Sequence, residues 1–463
     1  VRGKKVSDNN NNEAADNNPN HEPWPPPRQA WYAVGIFTVA LMFNFLDRGI
    51  LTLLVQPIKR DLALSDFQIS LVMGFAFVGF YAFVGLPIAR LVDTQSRRLI
   101  LGIGVALWSG MTAVCGLANT FWHLFLARLG VGVGEACNGP ATFSALSDFF
   151  PREKLPKAIS VLNIGFMFGQ GLALIVGGTL IGMISNLPVE TLPLIGEIHP
   201  WQMTFFAVGI PGLVIAALMA TVQEPKRRGL IATAGGKPAP HTSLPVREIV
   251  AFLIEHRGAY VPMLLGLAIQ GTLIVGVTSW LPTFFIRSHN WTIAHFGQVM
   301  GGILLLISPI GLMLGGVLAE KLALRGHHDA NMRVVVIAGV LALPFLVLFP
   351  LVSSPWVAVG LLAVQNFILA LAPGPQNAAI QAITPNQIRG QVTALFLFVF
   401  NIIGFGLGPT FIATLTDYVF GSEAQLGHAM ALAAVVMEPL AMFVFWYGLK
   451  AYGRRIESTA HWT

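Results

Sequence analysis

Four ionisable residues sit inside long apolar stretches of this 463-residue chain. Asp47 and Arg48 are adjacent within Phe43-Asn44-Phe45-Leu46-Asp47-Arg48-Gly49-Ile50-Leu51, and Arg128 and Glu135 share a later stretch, seven residues apart. Each costs roughly 2.5–3.5 kcal/mol at mid-bilayer on insertion scales, so the four together cost on the order of 10 kcal/mol. Charges kept at that depth face a watery cavity and serve transport, proton transfer or signalling. A carboxylate there binds its proton more tightly through desolvation and less tightly beside a guanidinium. Those opposed effects make Asp47 and Glu135 candidates for proton coupling, and Arg48 and Arg128 candidates for holding an anion or relaying charge. The alternative is structural: Asp47 with Arg48, and Arg128 with Glu135, as static ion pairs that lock helix packing.

The elements that must position these residues are membrane helices. The chain is 54% hydrophobic and 11% charged, about half the charge fraction of a soluble domain. Apolar spans are read at 31–55, 67–92, 99–119, 122–149, 157–184, 203–223, 259–286, 293–319, 332–352, 355–383, 388–416 and 428–451. Most exceed the ~20 residues that cross the hydrocarbon, and none has the short alternating pattern of a barrel strand. The expected fold is therefore all-α, with twelve transmembrane helices.

An even number of spans puts both termini on one side. Loops on that side hold Arg97, Arg98, Arg152, Lys154, Lys157, Lys226, Arg227, Arg228, Lys321, Arg325 and Arg389, whereas the opposite loops hold little beyond Lys59, Arg60 and Arg287. The positive-inside rule then predicts both termini in the cytoplasm. The net charge of +6 orients the protein and gives no reason to expect a nucleic-acid partner. Cys115 and Cys137 fall within spans and are expected as reduced thiols; no metal-ligand spacing occurs.

The longest internal polar stretch divides the spans six and six. The expected organisation is a disordered cytoplasmic tail over 1–29, a six-helix bundle over 30–223, a cytoplasmic linker over 224–258, a second six-helix bundle over 259–452 and a cytoplasmic tail over 453–463. The tail carries the run Asn9 to Asn12 and Pro25-Pro26-Pro27 but no cleavable signal pattern, so the first span is expected to be an uncleaved anchor. Ala89 to Arg98 after the second span is echoed by Gly316 to Lys321 after the eighth, and Pro151-Arg152-Glu153-Lys154 by Pro385 to Arg389. Both echoes are about 230 residues apart, the mark of a duplicated pair of halves that rock about a midplane site. The seams Gly165-x-x-x-Gly169, Gly177-Gly178 and Gly311-x-x-x-Gly315 let helices approach closely.

With a rise of ~1.5 Å per residue, Asp47 and Arg128 lie at similar depth and Glu135 about 10 Å further in. The second half has nothing equivalent to this cluster, although Glu438 falls within the twelfth span. It offers Gln365, Asn366, Gln376 and Asn377 in the tenth span and Asn401 in the eleventh. Further candidate cavity contacts are Asn44, Asn138, Phe43, Phe166 and Trp280, with packing or lipid-facing roles as the alternative for each aromatic. Asp93, Arg97, Arg98, Glu320 and Lys321 lie where helices reach the cytoplasm and are the expected cytoplasmic gate.

Phe45-Leu46-Asp47-Arg48, together with Arg128-Leu129-Gly130-Val131-Gly132-Val133-Gly134-Glu135-Ala136 and Leu146 to Pro151, resembles the spinster branch of the major facilitator superfamily. The resemblance is specific over roughly the first 180 residues, and the short loops suit a bacterial member. It implies twelve helices and transport of amphipathic lipids such as sphingosine-1-phosphate and lysophospholipids, in some cases with protons. It also implies that Asp47 is the family's first-helix acid beside Arg48, and that Arg128 and Glu135 are its fourth-helix pair. The family's Gly-x-x-x-Asp-Arg-x-Gly-Arg-Arg loop is degraded here, with Thr94 and Ser96 in place of a base and a glycine.

The expected function is proton-coupled secondary transport of an amphipathic anionic lipid by alternating access. The rival is proton-coupled symport of small organic acids, since anion–cation symporters share the Asp-Arg and Arg…Glu pattern. An enzyme is not expected, because Gly-x-Ser-x-Gly, a His-rich site and paired intramembrane aspartates are missing, and no P-loop points to ATP. No cofactor is expected; the partners are the substrate, protons and the bilayer. The expected protein is a monomer in the cell membrane.

Overall fold

The computed structural model describes residues 24–151, 153–192, 196–227, 246–385 and 388–459. The expected tail over 1–23, the middle of the linker and the last four residues lie outside the described residues. The first bundle comprises α1 (Pro27–Leu53), α2 (Val55–Leu62), α3 (Asp66–Met73), α4 (Phe75–Thr94), α5 (Arg97–Cys115), α6 (Phe121–Glu135), α7 (Asn138–Phe149), α8 (Leu155–Ile184) and α9 (Pro200–Met219). After α10 (Val246–Glu255) come α11 (Arg257–His289), α12 (Ile293–Leu306), α13 (Ser308–Leu324), α14 (Ala330–Leu348), α15 (Pro355–Leu369) and α16 (Pro373–Ile383). The chain ends with α17 (Arg389–Val399), α18 (Gly406–Thr414) and α19 (Leu426–Thr459), with π-helical stretches at Phe400–Phe405 and Leu415–Phe420.

Among the described residues, eleven helical stretches are long and apolar enough to cross a membrane. The fourth expected span is present as α6 and α7, which meet at Ala136–Cys137. Breaks elsewhere have local causes: Pro309 and Pro373 open α13 and α16, where a missing N–H is tolerated. The fold is all-α as expected, with one small antiparallel hairpin between α8 and α9, β1 (Glu190–Leu192) with β2 (Gly196–Ile198). It satisfies backbone groups where the chain leaves the apolar zone. Element ends also differ from the sequence reading. Helix α1 starts at Pro27, α10 occupies part of the expected linker, and α19 runs to Thr459. Ile249 of α10 and Tyr452 of α19 join the same apolar cluster, which prolongs both helices beyond the spans.

Three apolar clusters define the shape. One joins both bundles on the face far from the termini, including Leu51, Ile58, Ile69 and Trp201 with Phe284, Phe285, Ile412 and Met430. The other two lie towards the termini, and the buried residues of each come from one bundle: Ala33, Phe37 and Phe149 in the first, against which Ile402 and Phe405 of the second also pack, and Tyr260, Ile383 and Tyr452 in the second. Between the bundles α8 packs on α12 and α3 on α18, whereas α13 packs on α14 to α16. The bundles therefore converge at the far face and diverge towards the termini.

Two glycines permit the convergence. A Cβ on Gly178 of α8 would lie 2.9 Å from the Ile293 carbonyl oxygen, and one on Gly74 would lie 2.6 Å from that of Gly406. Gly74 is also where α3 breaks from α4, opposite the π-helical Phe400–Phe405, so both facing spans are irregular at one crossing. The other expected seams are internal to a bundle: Gly165 and Gly169 meet Thr38 and Met42 of α1, and Gly311 and Gly315 meet Phe367 and Leu371.

Candidate functional site

Helix α1 supplies Asp47 and Arg48, α5 supplies Thr112, and α6 supplies Arg128 and Glu135. The structure brings the four charges together but crosses the pairing. Arg128 reaches Asp47 at 3.4 Å, and Thr112 donates to the other Asp47 oxygen at 2.7 Å. Arg48 donates to Glu135 Oε2 through Nε at 2.8 Å and a terminal nitrogen at 2.6 Å. The static pairs expected within each helix are replaced, for a geometric reason. Adjacent helical residues point about 100° apart, and residues seven apart lie about 10 Å apart along the axis. Each charge therefore finds its partner on the other helix.

Asp47, Arg128 and Glu135 are almost fully enclosed, whereas the Arg48 side chain is 22% exposed. Arg48 is thus the charge of this group that meets open space. Its guanidinium lies 4.4 Å from the Phe77 ring centre and 5.8 Å from those of Phe45 and Phe405. Phe405 comes from the second bundle, so this aromatic wall spans the division. Tyr81 continues it, stacked on Phe77 at 5.6 Å. Among the described residues, two buried polar atoms in the cluster have no partner, Arg128 Nε and Glu135 Oε1. Burying charges costs several kcal/mol each, so removing one partner leaves a strongly disfavoured remainder.

The neutral candidates are spread out. Asn44 is buried in α1, and Asn138 is buried with its Oδ1 accepting from Thr142 at 3.4 Å. Phe43 is half-buried, and Phe166 is exposed and meets Phe45 edge-on at 4.7 Å. Trp280 is enclosed and donates to the Pro409 carbonyl at 2.9 Å, so it ties α11 to α18 and takes the packing role rather than a cavity contact. Gln365 is buried with Oε1 lacking a partner. Asn366 and Asn401 donate to the carbonyls four residues earlier, and Asn377 is exposed.

The gate candidates do not act as one group. Arg97 is buried inside the first bundle. It pairs with Asp148 of α7 and, at 2.9 Å, with Glu224 beyond α9, and donates to the Pro225 carbonyl at 2.6 Å. The Arg97 and Arg98 amides and the Ser96 hydroxyl also donate to Glu224. Burial pushes the Glu224 carboxyl up, but these hydrogen bonds outweigh it and hold the group below its ordinary value. Arg97 is therefore a brace within one bundle, a correction to its reading as a gate across two. Asp93, Glu320 and Lys321 are exposed.

Sequence reasoning missed an ion network on the far face. Arg287, at the end of α11, holds both oxygens of Asp66 at 2.7 and 2.8 Å. Lys59 of α2 pairs with Asp66 and, at 2.8 Å, with Glu423, which also meets Arg287 at 2.8 Å. These contacts join the bundles where they converge. The available signal was the scarcity of bases on those loops: Lys59 and Arg287 are two of the few.

Comparison with known proteins places this geometry in a family. A crystal structure of a bacterial homologue of the human lysosomal transporter Spinster, inward-facing and unoccupied, superposes with a TM-score of 0.78 at 23% identity, covering 94% of this chain and 98% of that one. An MFS-type efflux pump of Mycolicibacterium smegmatis is 27% identical over 93% of this chain and 95% of its own length. A galacturonate transporter of Dickeya chrysanthemi is 23% identical over 71% of this chain and 93% of its own. Residues 37–409 match the model of the Major Facilitator Superfamily. With that match over most of its length and the superposable fold, the chain belongs to the Major Facilitator Superfamily, a family of membrane transporters rather than enzymes.

Proposed function

We propose that this protein is a proton-coupled secondary transporter of an amphipathic anion, of the lysophospholipid or sphingosine-1-phosphate kind, working by alternating access between two six-helix halves. The observation that carries the reading is Arg48: a partly exposed guanidinium on a buried carboxylate, walled by Phe45, Phe77 and Phe405. A guanidinium suits a phosphate or carboxylate head group, and aromatic walls suit an apolar tail. Asp47 and Glu135 carry the protons. The basic loops put the termini in the cytoplasm of a cell membrane, so the cleft is open inward and the far face is the outer one. The protein works as a monomer.

The second reading is transport of small organic acids, supported by the relative described as a galacturonate transporter. Uptake into proteoliposomes under an imposed pH gradient, with a lysophospholipid and with galacturonate, separates the two. The lipid reading expects saturable, gradient-driven lysophospholipid flux that galacturonate does not inhibit. Flux of galacturonate alone favours the second reading, and flux indifferent to the gradient removes proton coupling.

A further inference from the structure

The outer network holds three acids, Asp66, Asp417 and Glu423, against two bases, Lys59 and Arg287. Both bases are committed to Asp66 and Glu423. Among the described residues Asp417 has no cation in contact. It lies in the π-helical Leu415–Phe420 of the second bundle, and its Oδ2 accepts the Phe67 backbone N–H of the first bundle at 2.8 Å.

That amide matters because of where it sits. Helix α3 begins at Asp66 after Ser65, whose side chain caps the Gln68 amide at 3.1 Å while the Gln68 side chain accepts from the Ser65 amide. The Phe67 amide, between them, has no acceptor in its own helix turn. Asp417 supplies it from across the division. The contact is reinforced by Phe67 edge-on to Tyr418 at 5.8 Å and by Ser70 to Thr410 at 3.3 Å. The start of α3 is therefore fully capped only while the two bundles meet.

We infer that Asp417 is a proton-sensitive cap that holds the outer mouth shut, closing it as a carboxylate and releasing α3 as a neutral acid. A carboxylate at a helix N-terminus gains from the helix dipole and makes a charge-assisted bond about twice as strong as a neutral one. The charged groups facing it are Asp66 on α3, Lys59 on α2, Arg287 on α11 and Glu423 before α19, and the adjoining Phe420 ring meets His428. These four, two acids and two bases, compensate one another, so Asp417 adds the one surplus negative charge. The residue is half-buried, so outer water reaches it. The inference rests on the alternating-access reading, and on neither the substrate nor the coupling role of Asp47 and Glu135.

The test uses full-length protein in nanodiscs with spin labels on cysteines introduced at Asn186 and Ser353, exposed outer positions on opposite bundles. As pH falls from about 7 to about 3, across the carboxylate range, the outer-open fraction should rise about fivefold, the size of losing one helix cap. Asp417→Asn is neutral at every pH, like the protonated acid, and should be as open at high pH as the acidified wild type, with no pH response. Asp417→Ala should be open to the same extent at every pH. A wild-type pH response in Asp417→Asn, or a closed Asp417→Ala at high pH, overturns the inference. Should the alanine variant fail to fold, the asparagine arm alone decides. Gradient-driven flux in Asp47→Asn and Glu135→Gln is scored separately, so the two readings can fail independently.

Discussion

Arg48 places two nitrogens on a single oxygen of Glu135, at 2.8 and 2.6 Å, and leaves the other oxygen of that carboxylate buried without a partner. In the transport reading proposed above, with Glu135 as a proton carrier, the arrangement couples two events. An anion that draws the partly exposed guanidinium away strips a buried carboxylate of its countercharge. An uncompensated buried charge costs several kcal/mol, and taking up a proton removes that cost. Substrate binding and proton binding are then linked through one side chain.

Replacing Glu135 with Gln or Asp47 with Asn keeps shape while removing a titratable proton. Both variants are expected to insert and fold, and to lose pH-gradient-driven flux by about a hundredfold, the scale of a positioned proton carrier. Flux measured with and without the gradient checks this. A variant whose flux still follows the gradient as in the wild type takes no part in coupling.

Arg48→Lys should weaken substrate binding by about tenfold or more with expression unchanged. Lysine cannot reproduce a planar fork that holds one carboxylate while stacking on Phe77 at 4.4 Å. Titration of purified protein with a lysophospholipid reads the change. Near-normal affinity would mean that Arg48 serves only to neutralise its neighbours.

Much of this architecture is legible in the residues themselves. Apolar runs locate the spans, and the depth of Asp47 matches that of Arg128, which it meets. The pairing across helices was not legible, because spacing along one helix says nothing about which neighbour it faces. Trp280 illustrates the same limit: an aromatic in a span reads alike whether it walls a cavity or, as here, ties two helices through the Pro409 carbonyl. The far-face network was hidden for another reason. Lys59 and Asp66 are distant in sequence from Arg287 and Glu423, and the two pairs meet only because the bundles converge there.

The Arg97 brace carries a stability prediction with a definite pH sign. Arg97 is buried between Asp148 and Glu224, so Arg97→Ala should destabilise the protein by about 3 kcal/mol, as for breaking a buried ion pair. Glu224 is held below its ordinary value, so its contribution is present at neutral pH. That contribution fades as pH falls through the folded-state value, below the usual carboxylate range near ~4. Thermal melts of wild type and Glu224→Gln should therefore differ at pH near ~7 and converge as the pH drops. A gap that widens on acidification would reverse the assignment.

The commitment of Arg97 also bears on how the inner mouth closes. Closing the termini face requires contacts between the bundles there, and Asp93 and Glu320 are the exposed acids at the corresponding helix ends. Bases beside this loop are engaged elsewhere: Arg97 with Asp148 and Glu224, the Arg98 guanidinium with the Ala220 and Val222 carbonyls, and Arg227 with the Val92 and Gln95 carbonyls. Thr94 and Ser96 add no charge to that loop. Glu320 instead borders a hollow of about 390 Å³ lined by Gly316, Ala319, Ala323 and Gly374, small side chains that leave room for a helix end from the other bundle. Removing Glu320 should then bias the protein towards the inward-open state more than removing Asp93 does. A loss of ~1–2 kcal/mol of contact energy moves populations by roughly five- to thirtyfold when the states lie close in energy. Distances between spin labels on the termini-side ends of the bundles, in Glu320→Gln and Asp93→Asn, report the shift directly. Equal shifts, or a larger one for Asp93→Asn, would show that the two ends contribute without this asymmetry.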